Sequence, residues 1–216
     1  MKDTTTELAA RVLATAWAMN ASGINRGSAG NVSARCEDGF VITPTGMAYE
    51  SCIAADMARV GADGAVNKVS RRKPSSEWRF HRDIYAARPE AGAVVHAHSP
   101  FATAFACQEQ GIPAFHYMVA RFGGVDVRCA SYATFGTQEL SDAIVGALEN
   151  RCGCLMAHHG MVVFGRDVDH ALALAVELET LCEQYWRVLQ LGAPKLLTAA
   201  EMARVLEKFS SYGQQD

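Results

Sequence analysis

Two histidines stand two residues apart in AGAVVHAHSP, residues 91–100. Side chains at i and i+2 of a strand share a face, so His96 and His98 would direct two imidazoles into one space. Such a pair suits a metal ion, a proton relay or two hydrogen-bonded core histidines. A catalytic zinc commonly takes three imidazole or carboxylate ligands and keeps one position for substrate or water. The chain offers further residues of the right type. His158 and His159 precede Gly160 at a strand end, where the backbone can bend sharply, and either could supply a third imidazole. Glu77, opening the helix that follows Ser75 and Ser76, is a candidate carboxylate. His81, one turn beyond Glu77, reads as a supporting or packing residue, and His170 as a surface or interface residue on a long helix.

Three clusters of small polar residues accompany these groups. GSAGN at 27–31 combines glycine-permitted curvature with Ser28 and Asn31. TPTG at 43–46 offers Thr45 and the Gly46 amide. Ser75 and Ser76 place two hydroxyls and free amides at a helix N-terminus, which favours an anion. Each is ordinary turn or cap chemistry alone. Together, with one adjoining a candidate metal ligand, they suggest a phosphate held beside a metal.

The elements that must position these residues follow from periodicity. A first helix is expected over 4–21, then strands at 31–36, 39–43, 56–60 and 65–68. Ser75 and Ser76 introduce a helix to Ala87, and GAVVHAH reads as a buried strand. Ser99-Pro100 opens a helix closed by Gly111. Strands near 112–118 and 125–130 precede a helix from Thr137 to Glu149. CLMAHHGMVVFG reads as strand, turn and strand, followed by a long helix over 167–191. Thr198 and Glu201 form a capping box for a last helix ending near Phe209. Several strands are close enough in sequence to pair antiparallel. The expectation is a single-domain (1–216) three-layer α/β/α sandwich around a mostly antiparallel sheet. A doubly wound nucleotide fold is disfavoured, because no G-x-G-x-x-G joins a strand to a helix.

Composition narrows the partners. The chain has 216 residues, half of them hydrophobic and a fifth charged, which suits a soluble globular protein. A net charge of -3 gives no footprint for nucleic acid. No apolar run is long enough for a membrane span, and Asp3, Glu7 and Arg11 break up the N-terminal apolar stretch. Seven cysteines in no regular framework read as reduced thiols of a cytoplasmic protein.

The segments GSAGNVS, ITPTG, KPSSEWRFH, AVVHAH, IPAFHYM, YATFGTQELS, HHG and LEKFSSYG occur in this order and cover nearly the whole chain. Together they resemble the class II aldolase/adducin family, most closely its L-fuculose-1-phosphate aldolase branch. The resemblance implies one Zn2+ per subunit on His96, His98 and His159, with Glu77 as fourth ligand in the resting site. It implies phosphate contacts at Ser28, Asn31, Thr45, Gly46, Ser75 and Ser76. It further implies a homotetramer with active sites at subunit boundaries, where Tyr117 reaches in from the adjacent subunit and Phe135 and Tyr212 shape the aldehyde side. The expected activity is reversible cleavage of a ketose 1-phosphate, of the L-fuculose 1-phosphate type, to dihydroxyacetone phosphate and a short aldehyde such as L-lactaldehyde. Glu77 and Tyr117 would move the protons. No Schiff-base lysine is needed; the lysines at 2, 68, 73, 195 and 208 occupy no obvious buried strand.

Two departures from the family pattern bear on specificity. Ser28 replaces a threonine and keeps the hydroxyl, whereas Arg121 and Phe122 replace small residues. A 5-methylthioribulose or 5-deoxyribulose 1-phosphate aldolase is therefore an alternative. An epimerase, a dehydratase and an adducin-like interaction domain are more distant ones.

Overall fold

The structure, a computed structural model, describes residues 5–67 and 70–209. A seven-stranded sheet forms its middle layer. The strands are β1 (Asn31–Cys36), β2 (Gly39–Ile42), β3 (Ala58–Gly61), β4 (Ala93–Ala97), β5 (Cys129–Ala130), β6 (Gly153–Met156) and β7 (Gly160–Gly165), in the spatial order β3-β2-β1-β4-β7-β6-β5. Every pairing is antiparallel except β5 with β6. The helices are α1 (Thr5–Ala21), α2 (Trp78–Ala87), α3 (Pro100–Ala106), α4 (Gln138–Ala147), α5 (Val168–Gln190) and α6 (Ala199–Phe209). The expected three-layer sandwich with a mostly antiparallel sheet is what forms.

The strand pleat sorts side chains into two cores. On one face Val32, Ala34, Val95, Met161 and Val163 pack under residues of α1, α3, α5 and α6. On the other, Phe40, Val94, Val162 and Phe164 pack under Phe80 and Ile84 of α2 and Leu140 and Ile144 of α4. Burial on both faces explains why GAVVHAH carries no charge. β1 and β4 are central, in a register that sets Asn31 opposite His96. Since alternate residues share a face, Asn31 and Ser33 of β1 and His96 of β4 all lie on the α2 side.

Four expectations change. Of the strand at 65–68, the described residues form one bridge, Val66 to Val60. The strand near 112–118 reduces to a bridge between Ile112 and Val127, and only Cys129–Ala130 remain of the strand at 125–130. Residues Tyr117–Phe122 instead wind into a 3-10 turn that ends at Gly123, φ 91°. Val119, Ala120 and Phe122 bury through that turn, and a short apolar run does not distinguish the two solutions. Finally, α3 stops at Ala106, short of Gly111, and Ser99 does not cap it with its own side chain. Glu179 of α5 does so: its carboxylate accepts from the amides of Phe101 and Ala102, both at 2.8 Å, and from Ser99 Oγ at 2.6 Å.

That cap ties the chain just after His98 to the long helix. Glu179→Ala should lower stability by about 3 kcal/mol, since charged acceptors are worth about 1.5–3 kcal/mol per bond. Urea unfolding of the variant checks this.

Candidate metal centre and active site

Four side chains from four parts of the chain converge beside the edge of α2. Glu77 immediately precedes its first turn, His96 lies near the end of β4, His98 just beyond it, and His159 in the turn between β6 and β7. One candidate ligand atom from each lies within 4.8 Å of the others. His96 Nε2 is 3.0 Å from His98 Nε2 and 3.2 Å from Glu77 Oε2, while His159 Nε2 is 3.1 Å from Glu77 Oε1.

Local backbone chemistry makes this approach feasible. His158 takes a left-handed conformation, φ 53°, which turns β6 sharply into β7. The turn sends the two adjacent imidazoles to different partners. His159 meets Glu77, whereas His158 Nε2 sits 3.1 Å from Glu109 Oε1 on the exposed rim. Gly160 follows because a Cβ there would lie 2.5 Å from the Ala97 carbonyl and 3.1 Å from the His98 ring.

The four residues fit a divalent ion. Ligand atoms about 2.1 Å from a tetrahedral zinc lie about 3.4 Å apart, near the three contacts of 3.0–3.2 Å and inside the 4.8 Å that bounds the set. His96 Nδ1 lies 2.8 Å from the Met161 carbonyl, which only a protonated nitrogen satisfies, so in the neutral ring Nε2 turns its lone pair to the cluster. Glu77 Oε1 is buried and accepts no hydrogen bond, leaving it for a cation. Desolvation, with His96 and His159 alongside, lowers His98 to about 4, so its ring is neutral at pH 7. Burial alone would raise the Glu77 carboxyl, but the neighbouring imidazoles of His96 and His159 outweigh it and hold the pKa far below the carboxylate range.

Behind Glu77 lies a chain of buried polar groups. Asn31 Nδ2 donates to Glu77 Oε2 at 2.9 Å, and His81 Nε2 meets Asn31 Oδ1 at 2.5 Å. Ser33 Oγ is 2.7 Å from His81 Nδ1 and 2.8 Å from the Tyr85 hydroxyl. Burial lowers His81 to about 3, so that ring is neutral too.

The cluster opens onto a cavity of about 320 Å3 lined by Ala29, Ser76, Glu77, His98, Tyr132, Ala133, Phe135, His158 and His159. Phe135 and Tyr132 are 65% and 61% exposed and form its outer wall. Gly136, φ 74°, holds that wall against α2: a Cβ would lie 2.9 Å from the Ser76 carbonyl, and Arg79 donates to the Gly136 carbonyl at 2.9 Å.

The small polar segments also assemble nearby. Pro44 bridges Pro74, the Ser75 amide donates to the Thr43 carbonyl at 3.0 Å, and the Thr45 amide donates to the Lys73 carbonyl at 3.1 Å. Ser28, Thr45, Gly46 and Ser76 are exposed, whereas Ser75 is buried and its Oγ accepts from the Glu77 amide at 3.3 Å. The Asn31 amide, expected on phosphate, is engaged with Glu77 and His81. Tyr117 is absent from the cavity lining of its own chain; it is 50% exposed and stacks with Phe209 at 6.4 Å. Arg121 pairs with Glu177 at 3.2 Å and Phe122 is buried, so neither departure borders the cavity within one chain. Tyr212 lies outside the described residues.

A sequence profile described as the Class II Aldolase and Adducin N-terminal domain matches residues 10–186. The chain belongs to that family. Among the aldolases similar to it, one from Rhodospirillum rubrum, named 5-methylthioribulose-1-phosphate/5-deoxyribulose-1-phosphate aldolase, is 54% identical over 191 residues, covering 88% of this chain and 86% of its own. L-fuculose phosphate aldolase of Escherichia coli K12 is 44% identical over 208 residues, 96% of each chain. A solved L-fuculose 1-phosphate aldolase superposes with a TM-score of 0.90 at 32% identity, covering 94% of this chain and 96% of that one. This class II aldolase-family chain is thus an aldehyde-lyase whose Glu77, His96, His98 and His159 can hold a divalent metal.

Sequence reading missed Tyr132 and the supporting roles of Asn31, Ser33, Tyr85 and Glu179. The signal for three of the supports was present. Glu77, His81 and Tyr85 recur at i, i+4 and i+8, and Asn31 and Ser33 at i and i+2, each set on one face.

Metal should bind the folded chain alone. Saturating zinc should raise the Tm of chelator-stripped protein by about 10 °C, given about 4 kcal/mol at a thousandfold excess over Kd. His96→Ala should reduce the rise to about 2 °C or less, as read by differential scanning calorimetry.

Proposed function

We propose that the protein is a zinc-dependent aldolase that reversibly cleaves a ketose 1-phosphate between C3 and C4, releasing dihydroxyacetone phosphate and a short aldehyde. The observation that carries this is the Glu77, His96, His98 and His159 cluster opening onto a cavity bordered by Ser76. When bound, the divalent ion supplies Lewis-acid stabilisation of the negative charge that develops as the carbon–carbon bond breaks.

The chain's own groups supply positioning and proton transfer. Ser28, Thr45, Gly46, Ser75 and Ser76 border the phosphate site, with Asn31 turned instead to Glu77 and His81, and amides at the start of α2 favour the anion. Binding this remote group orients the reacting carbons. Glu77 gives the C3 carbon its proton during cleavage and removes it during condensation. Tyr117 relays the C4 hydroxyl proton to solvent during cleavage while Glu77 takes its own proton from solvent, and both transfers reverse in condensation. Because Tyr117 lies away from its own cavity, it serves the site of an adjacent subunit in a homotetramer. Phe135 borders the aldehyde half.

The apolar wall of Tyr132, Ala133 and Phe135, together with the 54% identical relative, favours a 5-deoxy or 5-methylthio ribulose 1-phosphate. L-fuculose 1-phosphate is the second reading, supported by the 44% identical relative and by the solved structure. Measuring kcat/KM for these three substrates decides between them. The leading reading expects at least tenfold preference for the 5-substituted ribulose phosphates; preference for L-fuculose 1-phosphate would reverse the order.

Tyr117→Phe should retain zinc and lose about 100-fold in kcat, within the usual span for a lost acid–base group. Unchanged turnover would remove Tyr117 from its assigned step.

A further inference from the structure

The chain of polar groups behind Glu77 has one direction. A carboxylate oxygen only accepts, so Asn31 must turn its Nδ2 toward Glu77 Oε2 and its Oδ1 toward His81. Oδ1 also only accepts, so His81 Nε2 carries the ring proton. His81 Nδ1 is then the acceptor and receives the Ser33 hydroxyl, whose oxygen is left to receive the Tyr85 hydroxyl. Four donors thus point the same way, from Tyr85 through Ser33, His81 and Asn31 to one oxygen of Glu77. All five residues are buried, so water does not compete for any link.

The chain ends on Oε2 alone. Oε1 accepts no hydrogen bond and lies beside His159 at the cavity. An amide in the middle makes the chain a poor proton conduit, since Asn31 would have to pass through a high-energy imidic form. Its effect is orientation: it anchors one oxygen and leaves the other, buried and without a hydrogen bond, beside His159.

We propose that His81 and Asn31 are positioning residues which fix the Glu77 carboxylate so that Oε2 is held by the protein and Oε1 is the oxygen that exchanges protons with substrate. The metal arm of this proposal stands on the cluster alone; the proton-transfer arm rests on the aldolase reading above. Without the Asn31 link, Glu77 rotates among carboxylate orientations and both zinc affinity and proton transfer weaken. Groups that orient metal ligands characteristically change metal affinity by about 10–100-fold.

The test is a cycle of His81→Leu, Asn31→Ala and the double variant, with His81→Gln alongside, because a glutamine Nε2 can donate where His81 Nε2 does. Zinc affinity is measured by chelator competition on stripped protein without substrate, and kcat and KM are measured separately. His81→Leu and Asn31→Ala should each weaken zinc by about 10-fold or more, and the double variant should be no weaker than Asn31→Ala alone. His81→Gln should recover most of the loss. For cleaved substrates, kcat should fall while KM changes by less than about threefold. Additive losses in the double variant, or His81→Gln no better than His81→Leu, would overturn the proposal as mere packing. If His81→Leu does not fold, zinc affinity within twofold of wild type in Asn31→Ala overturns it equally. A wild-type chain that binds zinc but cleaves no ketose 1-phosphate would reject the aldolase reading, and the zinc cycle would still decide the role of His81 and Asn31.

Discussion

Burying a carboxylate among apolar side chains costs several kcal/mol unless charge or hydrogen bonds answer it. Glu77 is buried at the head of α2, and the surrounding site is arranged around satisfying it. One oxygen receives the Asn31 amide, and the other faces His159 with no hydrogen bond. Three imidazoles stand close by, two of them within 3.2 Å of its oxygens. A divalent cation would complete this arrangement, neutralising the carboxylate and using the imidazole lone pairs. The same demand explains why His81, one turn on, is fully buried yet fully bonded.

The sheet delivers the imidazoles to that carboxylate. Antiparallel pairing of β4 with β1 and β7 places His96 between Asn31 and Val162 and under α2. His98 lies where the strand has ended, and the chain there is held by Glu179 reaching from α5 on the opposite layer. The metal cluster therefore draws on both helical layers, although all four ligands belong to one side of the sheet's end. This is why packing far from the cavity bears on its geometry: a shift of α5 moves the start of α3, and with it His98.

The cavity's two sides differ in chemistry. Toward α2 it meets Ser76 and the candidate metal ligands Glu77, His98 and His159, which suit an anionic, oxygen-rich group. Away from them, Tyr132, Ala133 and Phe135 form an apolar wall pinned by Gly136 and Arg79. A substrate charged at one end and apolar at the other matches this polarity. The wall is much exposed in a single chain, and Tyr117 projects away from this cavity.

Much of this was legible in the residues themselves. HAH, HHG and the glutamate after two serines named the ligand types, and alternation in GAVVHAH placed two imidazoles on one face. Helix periodicity also held for α1, α4 and α5 to within about two residues at each end. Sequence could not choose between His158 and His159 by chemistry, because that choice depends on the left-handed turn at His158. Nor could it foresee that 117–122 would coil into a 3-10 turn, since short apolar runs bury equally well either way. Asn31 read as a phosphate contact because polar residues in glycine loops serve that purpose; its register opposite His96 gives it Glu77 and His81 instead. Local sequence determined which groups were available and which face each occupied, through short-range periodicity. Tertiary structure decided which of them meet, because contacts between residues 31, 77, 96 and 159 depend on strand register and helix packing that no single segment encodes.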